Sequence, residues 1–190
     1  VKLLKEIGIE NVEKVLDPVY LLDVAEWNKI TQKSTLRLEN EKYILAYGFK
    51  QQKDLYKYAR KLANARNCKL YSINTNFEDK FLDVDKYFYN ATPYDFVNLV
   101  KNAQEVVTNS FHGLSFSIIY NKPVHQFKKN GTENSRMVDL LNELDLSERL
   151  VISEELLTNQ LNYDITETII AKNKTKSIEF LQKGLMCNDR

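Results

Sequence analysis

The residues best able to do chemistry crowd into one stretch, positions 105–127, reading EVVTNSFHGLSFSIIYNKPVHQF. Thr108, Asn109 and Ser110 bring two hydroxyls and an amide, His112 a group that exchanges a proton near neutral pH, and Gly113 room for a ligand to approach the backbone. A short apolar run, Val106 and Val107, precedes them, and a longer one over 114–120 follows. This order predicts a buried strand, a polar turn, a helix and, after the Asn121-Lys122-Pro123 break, a second strand over 124–127. The first turn of a helix has amide groups without intrahelical partners at the positive end of the dipole. The turn is therefore expected to hold an anion, with Thr108, Asn109 and Ser110 as added donors and His112 as the acid–base group.

The remaining chain supplies elements to position that turn. The near-continuous apolar run KYILAYGF at 42–49 reads as a strand of a parallel sheet covered on both faces. Leu55, Tyr58, Ala59, Leu62 and Ala63 fall on one helical stripe, and a second strand follows over 69–73. After a short third strand at 87–89, Thr92-Pro93-Tyr94-Asp95 signals a helix start: Thr92 caps, Pro93 fits the first helical position and Asp95 bonds back to the cap. Phe96, Leu99, Val100 and Ala103 form its buried stripe, and Met137, Leu140, Leu141 and Leu144 mark a further helix. At the ends, residues 1–16 read as a short helix, Gly8 and a strand near 12–16, Val151 and Ile152 as a last short strand, and 154–186 as one or two closing helices. Asp17-Pro18 breaks the chain, and Trp27 is expected to anchor the core beneath it. Strands alternating with helices predict an α/β fold, an open, mostly parallel sheet with helices on both faces and ligands outside the carboxyl ends of the strands.

Composition narrows the class. A chain of 190 residues, 43% hydrophobic and 28% charged, forms one globular domain or a domain with a tail. No apolar run approaches the roughly 20 residues that cross a bilayer. A net charge of +1 gives no electrostatic case for a nucleic-acid partner, so Lys128-Lys129 and the basic run at 172–176 read as solvated surface. Cys68 and Cys187 lack zinc spacing and suit a reducing cytoplasm. Asp83-Val84-Asp85 has the spacing of an acidic pair that holds a metal in some nucleotide-sugar glycosyltransferases, but a solvated loop is the plainer reading and no metal is assigned. His125, inside the strand VHQF, reads as structural. Nucleophile-elbow, Walker and dinucleotide-binding patterns are absent, which excludes the corresponding hydrolase, nucleotide-hydrolysing and dehydrogenase readings.

The run TNSFHGLSFSIIYNKP resembles the signature of the polysaccharide pyruvyl transferases, in which a strand ending in Thr-(Asn/Asp)-(Ser/Arg) leads through Phe or Leu, His and Gly into a helix rich in small residues. LDPVYLL at 16–22 with Trp27, the segment 92–113, NSRMVDLLNELDLSERL at 134–150, Tyr163 and 177–181 resemble the same family. The resemblance implies a bacterial, cytoplasmic enzyme of exopolysaccharide synthesis. It would move a pyruvyl group from phosphoenolpyruvate to two hydroxyls of a nucleotide- or lipid-linked saccharide, forming a ketal without a cofactor. A lipid-linked acceptor would bring it near a membrane surface. The resemblance also implies the C-terminal, Rossmann-like half of a glycosyltransferase-B-like pair of domains; with Val1 in first place, it suggests that an N-terminal domain is missing. The expected divisions are a linker over 1–27, the α/β domain over 28–153 and closing helices over 154–190.

By the same resemblance His112 is catalytic, while Thr108, Asn109, Ser110 and Gly113 bind substrate or anion. Part of the family carries arginine where this chain has Ser110. A serine offers one neutral hydrogen bond in place of a charged fork, a difference of about 1–2 kcal/mol per anion contact. Arg136, assisted by Asn134, is the expected replacement, with Lys128 and Lys129 as alternatives, and Arg149 is expected to pair with a carboxylate. Two readings compete: transfer of a sugar from a nucleotide donor, and a sugar- or anion-binding domain without turnover.

Overall fold

In the computed structural model, which describes residues 2–10, 12–49, 53–73, 83–129, 135–158 and 161–186, the chain builds five short strands into one sheet. They are β1 (Tyr43–Tyr47), β2 (Lys69–Ile73), β3 (Lys86–Phe88), β4 (Glu105–Thr108) and β5 (Val124–Gln126). Every pairing is parallel and the spatial order is β3-β2-β1-β4-β5. The fold is thus an α/β, Rossmann-like open sheet, as the alternation of patterns predicts. The chain winds outward from β1 to β3, then crosses back to β4, so the winding direction reverses between β1 and β4. At such a switch point the connections leave in opposite directions and open a crevice beyond the strand ends. Tyr47 pairs with Thr108 at its lip.

Side-chain alternation along the strands assigns the two faces. Ile44, Ala46, Leu70 and Val107 point to α3 (Lys53–Ala65), whose Leu55, Tyr58, Ala59, Leu62 and Ala63 stripe is buried as its periodicity predicts. Tyr43, Leu45, Tyr71, Ile73 and Val106 point the other way, to α4 (Pro93–Asn102) and Phe116 of α5 (Phe111–Ile119). A third cluster joins α5, Val124 and α6 (Ser135–Glu143). Each fully buried aliphatic side chain here contributes about 1.5–3 kcal/mol relative to exposure.

The capping box expected at Thr92 is present. Its hydroxyl accepts from the Asp95 amide while the Asp95 carboxylate accepts from the Thr92 amide. The ends of the chain differ from expectation. After α1 (Lys2–Glu6), the stretch 12–16 pairs with no described strand: its long-range ties, from the Leu16 amide to Ser177 Oγ at 2.9 Å and from Lys14 to Glu143 at 2.5 Å, both lead to helices. Residues 16–20, expected in a linker, bury Leu16 and Tyr20 in the α5–α6 cluster, and Trp27 lies on a helix, α2 (Val24–Thr31), that the sequence reading missed. The anticipated strand at 151–152 is reduced to a single bridge between Gln126 and Leu150. One closing helix, α7 (Asp164–Met186), follows irregular backbone. No described helix is long and apolar enough to cross a membrane.

Candidate functional site

The end of β4 is held against the end of β1 by side chains rather than by strand pairing alone. Thr108 Oγ1 donates to the Tyr47 carbonyl at 2.6 Å and accepts from the Ser110 amide at 3.0 Å. Asn109 accepts from the Phe49 amide at 2.9 Å and donates to the Phe49 carbonyl at 3.0 Å, copying a strand pair with its amide group. Ser110 caps α5, its Oγ accepting from the Gly113 amide at 3.2 Å. All three side chains are buried. The hydroxyls and amide read from sequence as donors to an anion therefore face inward and brace the turn.

Gly113 has an equally internal reason. A Cβ there would come within 2.4 Å of Thr108 Oγ1, so the glycine admits the Thr108 side chain, which fills the space expected for a ligand. Bracing the turn so tightly fixes what lies outside it. Phe111 and His112 occupy the first turn of α5 ahead of the capped amide, and their own amides have no intrahelical acceptor. The His112 side chain is exposed, and its imidazole makes no hydrogen bond among the described residues.

That imidazole stands at the rim of a groove of about 730 Å³. Tyr47 and Ile73 reach it from the ends of β1 and β2, Trp27 and Ile30 from α2, Tyr94 and Phe96 from α4, and Phe116 from α5. The rings form a chain: Trp27 meets Phe116 edge-on at 4.7 Å, Phe116 meets Phe96 at 5.6 Å, Phe96 meets Tyr47 at 5.2 Å, and Tyr47 meets Phe49 at 5.1 Å. Trp27 does anchor the core, its indole N–H donating to the Val19 carbonyl at 3.0 Å, and it lines the groove as well. Sequence reasoning did not assemble this wall. Its only signal was aromatic residues at one strand end and in three separate segments that turn out to be helices, and their convergence follows from sheet order.

Arg136 lies on the other side of Phe111. Its guanidinium stacks 4.2 Å from the Phe111 ring centroid and approaches Asp17 Oδ2 at 3.5 Å. Phe111 in turn meets the His112 ring edge-on, with centroids 5.6 Å apart, so one aromatic ring separates the imidazole from the arginine. The Arg136 side chain is 69% exposed, so apart from the Asp17 contact its guanidinium faces solvent. Lys129 lies over Phe49 at 5.5 Å, beyond the Tyr47 side of the groove. Asn134 lies outside the described residues.

Other candidates take structural posts. Arg60 clamps both Asp83 and Asp85, and Asp85 also accepts from the Leu70 amide at 2.6 Å. Burial pushes the Asp85 carboxyl up, but the Leu70 amide and Arg60 outweigh it and hold it below its ordinary value. Among the described residues no three His, Cys, Asp or Glu side chains gather as a metal would require. Arg149 is buried and pairs with Glu148 at 3.0 Å. His125 is fully buried, with Nδ1 2.9 Å from the Tyr58 hydroxyl and Nε2 2.7 Å from Glu105, which also pairs with Arg66.

Comparison with known proteins bears on this arrangement at the level of family. The search of curated proteins gives no match. The family model described as Polysaccharide pyruvyl transferase matches residues 1–125, a span that takes in the 16–20 segment, the aromatic wall, the β4–α5 turn and His112, and stops short of Arg136. A match over that much of the sequence places the chain in the polysaccharide pyruvyl transferase family.

Proposed function

We propose that the chain supplies part of the active site of an enzyme that transfers a pyruvyl group from phosphoenolpyruvate to two hydroxyls of a saccharide, with His112 as the acid–base group. The observation that carries this reading is the exposed imidazole on the first turn of a braced helix, beside two backbone amides without intrahelical acceptors and at the mouth of a groove.

The reaction converts a diol and an enol phosphate to a cyclic ketal and inorganic phosphate. One acceptor proton ends on the methylene carbon, which becomes a methyl group, and the other leaves with phosphate. Protonating that carbon builds positive charge at the neighbouring carbon, which a sugar hydroxyl then captures. Phosphate departs and the second hydroxyl closes the ring. An imidazole can deliver the first proton and receive one from a hydroxyl, work worth about 10²–10⁴-fold in rate. The Phe111 and His112 amides and the Arg136 guanidinium suit the carboxylate and phosphate of the donor, which stay anionic throughout.

Within this proposal the two-domain arrangement, the nucleotide- or lipid-linked acceptor and a cytoplasmic setting in bacterial exopolysaccharide synthesis go with the family chemistry. The whole enzyme, incubated with phosphoenolpyruvate or with nucleotide sugars in the presence of candidate acceptors, should release inorganic phosphate from the first. Release of nucleoside diphosphate alone would make it a glycosyltransferase, and release of neither would leave a binding domain.

A further inference from the structure

We infer that the aromatic groove beside His112 is a saccharide subsite, in which the C–H face of a pyranose ring lies against the tyrosine-rich wall and its hydroxyls meet tyrosine O–H groups and the imidazole. Only the sugar's role as acceptor rests on the transferase reading; the binding itself does not.

The wall has two properties that together select this ligand. The first is apolar area: Tyr47, Phe96, Phe116 and Trp27 form a continuous run of rings set edge-to-face or tilted, and Ile30, Ile73 and Val97 line the groove beside them. The second is polarity held at the edges. Tyr47, Tyr89 and Tyr94 all line the groove, and none of their hydroxyls makes a hydrogen bond among the described residues. Tyr47 is half-buried, and burial alone raises the pKa of its hydroxyl, which keeps it a protonated donor at neutral pH. A half-buried hydroxyl without a protein partner is stabilised by a ligand that brings one.

A hydrocarbon chain would cover the rings but leave these hydroxyls unpaired. A free phosphate would meet the hydroxyls but gain nothing from the rings, and among the described residues the groove lining includes neither arginine nor lysine. A pyranose satisfies both, because one of its faces is largely C–H and its rim is hydroxylated. The groove volume, about 730 Å³, falls in the range of small-molecule sites and exceeds what a single small anion needs. Its position explains the exposed imidazole: a ring lying on the wall puts a pair of its hydroxyls at the rim where His112 stands.

The test is saturation-transfer NMR on the full chain with methyl glucopyranoside, galactopyranoside and mannopyranoside at millimolar concentration, and with farnesyl phosphate and inorganic phosphate as the lipid and anion arms. Trp27 is the only tryptophan, so its fluorescence gives a second reading from inside the groove. At least one pyranoside should show transfer concentrated on the protons of one ring face and a shift in Trp27 emission. Tyr47→Ala should weaken that binding about tenfold, and Tyr47→Phe by less. Tyr94→Ala, at an exposed rim position that tolerates truncation, should weaken it in the same direction, and His112→Ala, which removes one hydroxyl partner but no ring of the wall, should weaken it less than Tyr47→Ala.

Absence of transfer from all three pyranosides, transfer undiminished in both tyrosine-to-alanine variants, or a response to farnesyl phosphate alone would overturn the assignment. Turnover separates the two claims. Pyranoside binding without consumption of phosphoenolpyruvate would sink the pyruvyl reading and spare the subsite. Consumption with an acceptor KM unchanged in Tyr47→Ala and Tyr94→Ala would do the reverse.

Discussion

The two histidines of this chain sit within one strand–helix–strand unit and do opposite things. His125 is fully buried in β5, with both ring nitrogens engaged in a network that runs from Tyr58 through His125 and Glu105 to Arg66. His112 is exposed on α5 with neither nitrogen engaged among the described residues. The same side chain is thus a cross-brace at one place and an exposed ring without a hydrogen-bond partner among the described residues at the other. Cutting a buried, paired group exposes the desolvation cost of whatever remains, and cutting an exposed one does not.

The sharpest way to break that comparison is to remove each centre in turn. Glu105→Ala strips His125 and Arg66 of their shared carboxylate and should cost about 3–5 kcal/mol in urea unfolding. His112→Ala should change stability by no more than about 0.5 kcal/mol. It should nevertheless lower phosphate release from phosphoenolpyruvate in the whole enzyme by about 10²–10⁴-fold. Equal stability losses from the two substitutions would mean that His112 is packed rather than poised.

Acid sharpens the same contrast. Burial pushes the Glu105 carboxyl up, but the hydrogen bonds and charges of His125 and Arg66 outweigh it and hold its pKa below the ordinary value. As pH falls, the unfolded chain takes up this proton before the folded one does. The stability contributed by Glu105 is therefore complete above its unfolded pKa and is lost as pH falls through its folded pKa. Urea midpoints of the parent should drop more steeply on acidification than those of Glu105→Gln. Parallel curves would remove Glu105 as an acid-sensitive brace, while His112→Ala should follow the parent throughout that range.

A smaller effect is expected at Gly113, where helix propensity and packing oppose each other. Alanine in place of glycine favours a helix by about 0.8–1 kcal/mol. Here the added Cβ would overlap Thr108 Oγ1, so Gly113→Ala should instead destabilise by about 1–3 kcal/mol. Combining it with Thr108→Ala should cost less than the sum of the two, because the second substitution vacates the space that the first needs. A stabilised single variant would show that the turn is looser than its hydrogen bonds indicate.

These effects also show which parts of the sequence were legible. Sheet strands, the α3 and α4 stripes and the β4–turn–α5 unit follow from periodicity because each pattern reports local burial. His112 stood out because it follows a strand-end turn where a helix begins. The roles of Thr108, Asn109 and Ser110 could not, since a hydroxyl or amide looks the same in sequence whether it faces a ligand or the Tyr47 and Phe49 backbone across the crevice. Gly113 was misread for the same reason: its neighbour is Thr108, across the turn. The aromatic wall stayed hidden because Trp27, Tyr47, Tyr94 and Phe116 are brought together by the order of strands, which periodicity does not encode. At the ends of the chain, α2 and the buried Tyr20 were lost behind the Asp17-Pro18 break, which reads as a linker although the short 3₁₀ helix Pro18–Tyr20 makes it a corner of the core.

The smallest effect is also the most local. Thr92 caps α4, the helix that delivers Tyr94 and Phe96 to the groove, and the cap extends into the core because the Asp95 carboxylate that bonds back to Thr92 also accepts from Ser34 Oγ at 2.6 Å. Removing the Thr92 hydroxyl leaves the Asp95 amide without its acceptor but spares the Ser34 contact. Thr92→Ala should therefore cost about 1 kcal/mol and no more. Asp95→Ala removes the bond back to the Thr92 amide and the acceptor of Ser34 together, so it should cost more than Thr92→Ala in the same urea assay. If the groove depends on where α4 starts, Asp95→Ala should also alter Trp27 emission, through Phe96 and Phe116, while Thr92→Ala leaves it unchanged. Equal costs for the two variants would mean that the cap acts only within its own helix and that the wall is positioned by the packing of α4 on the sheet.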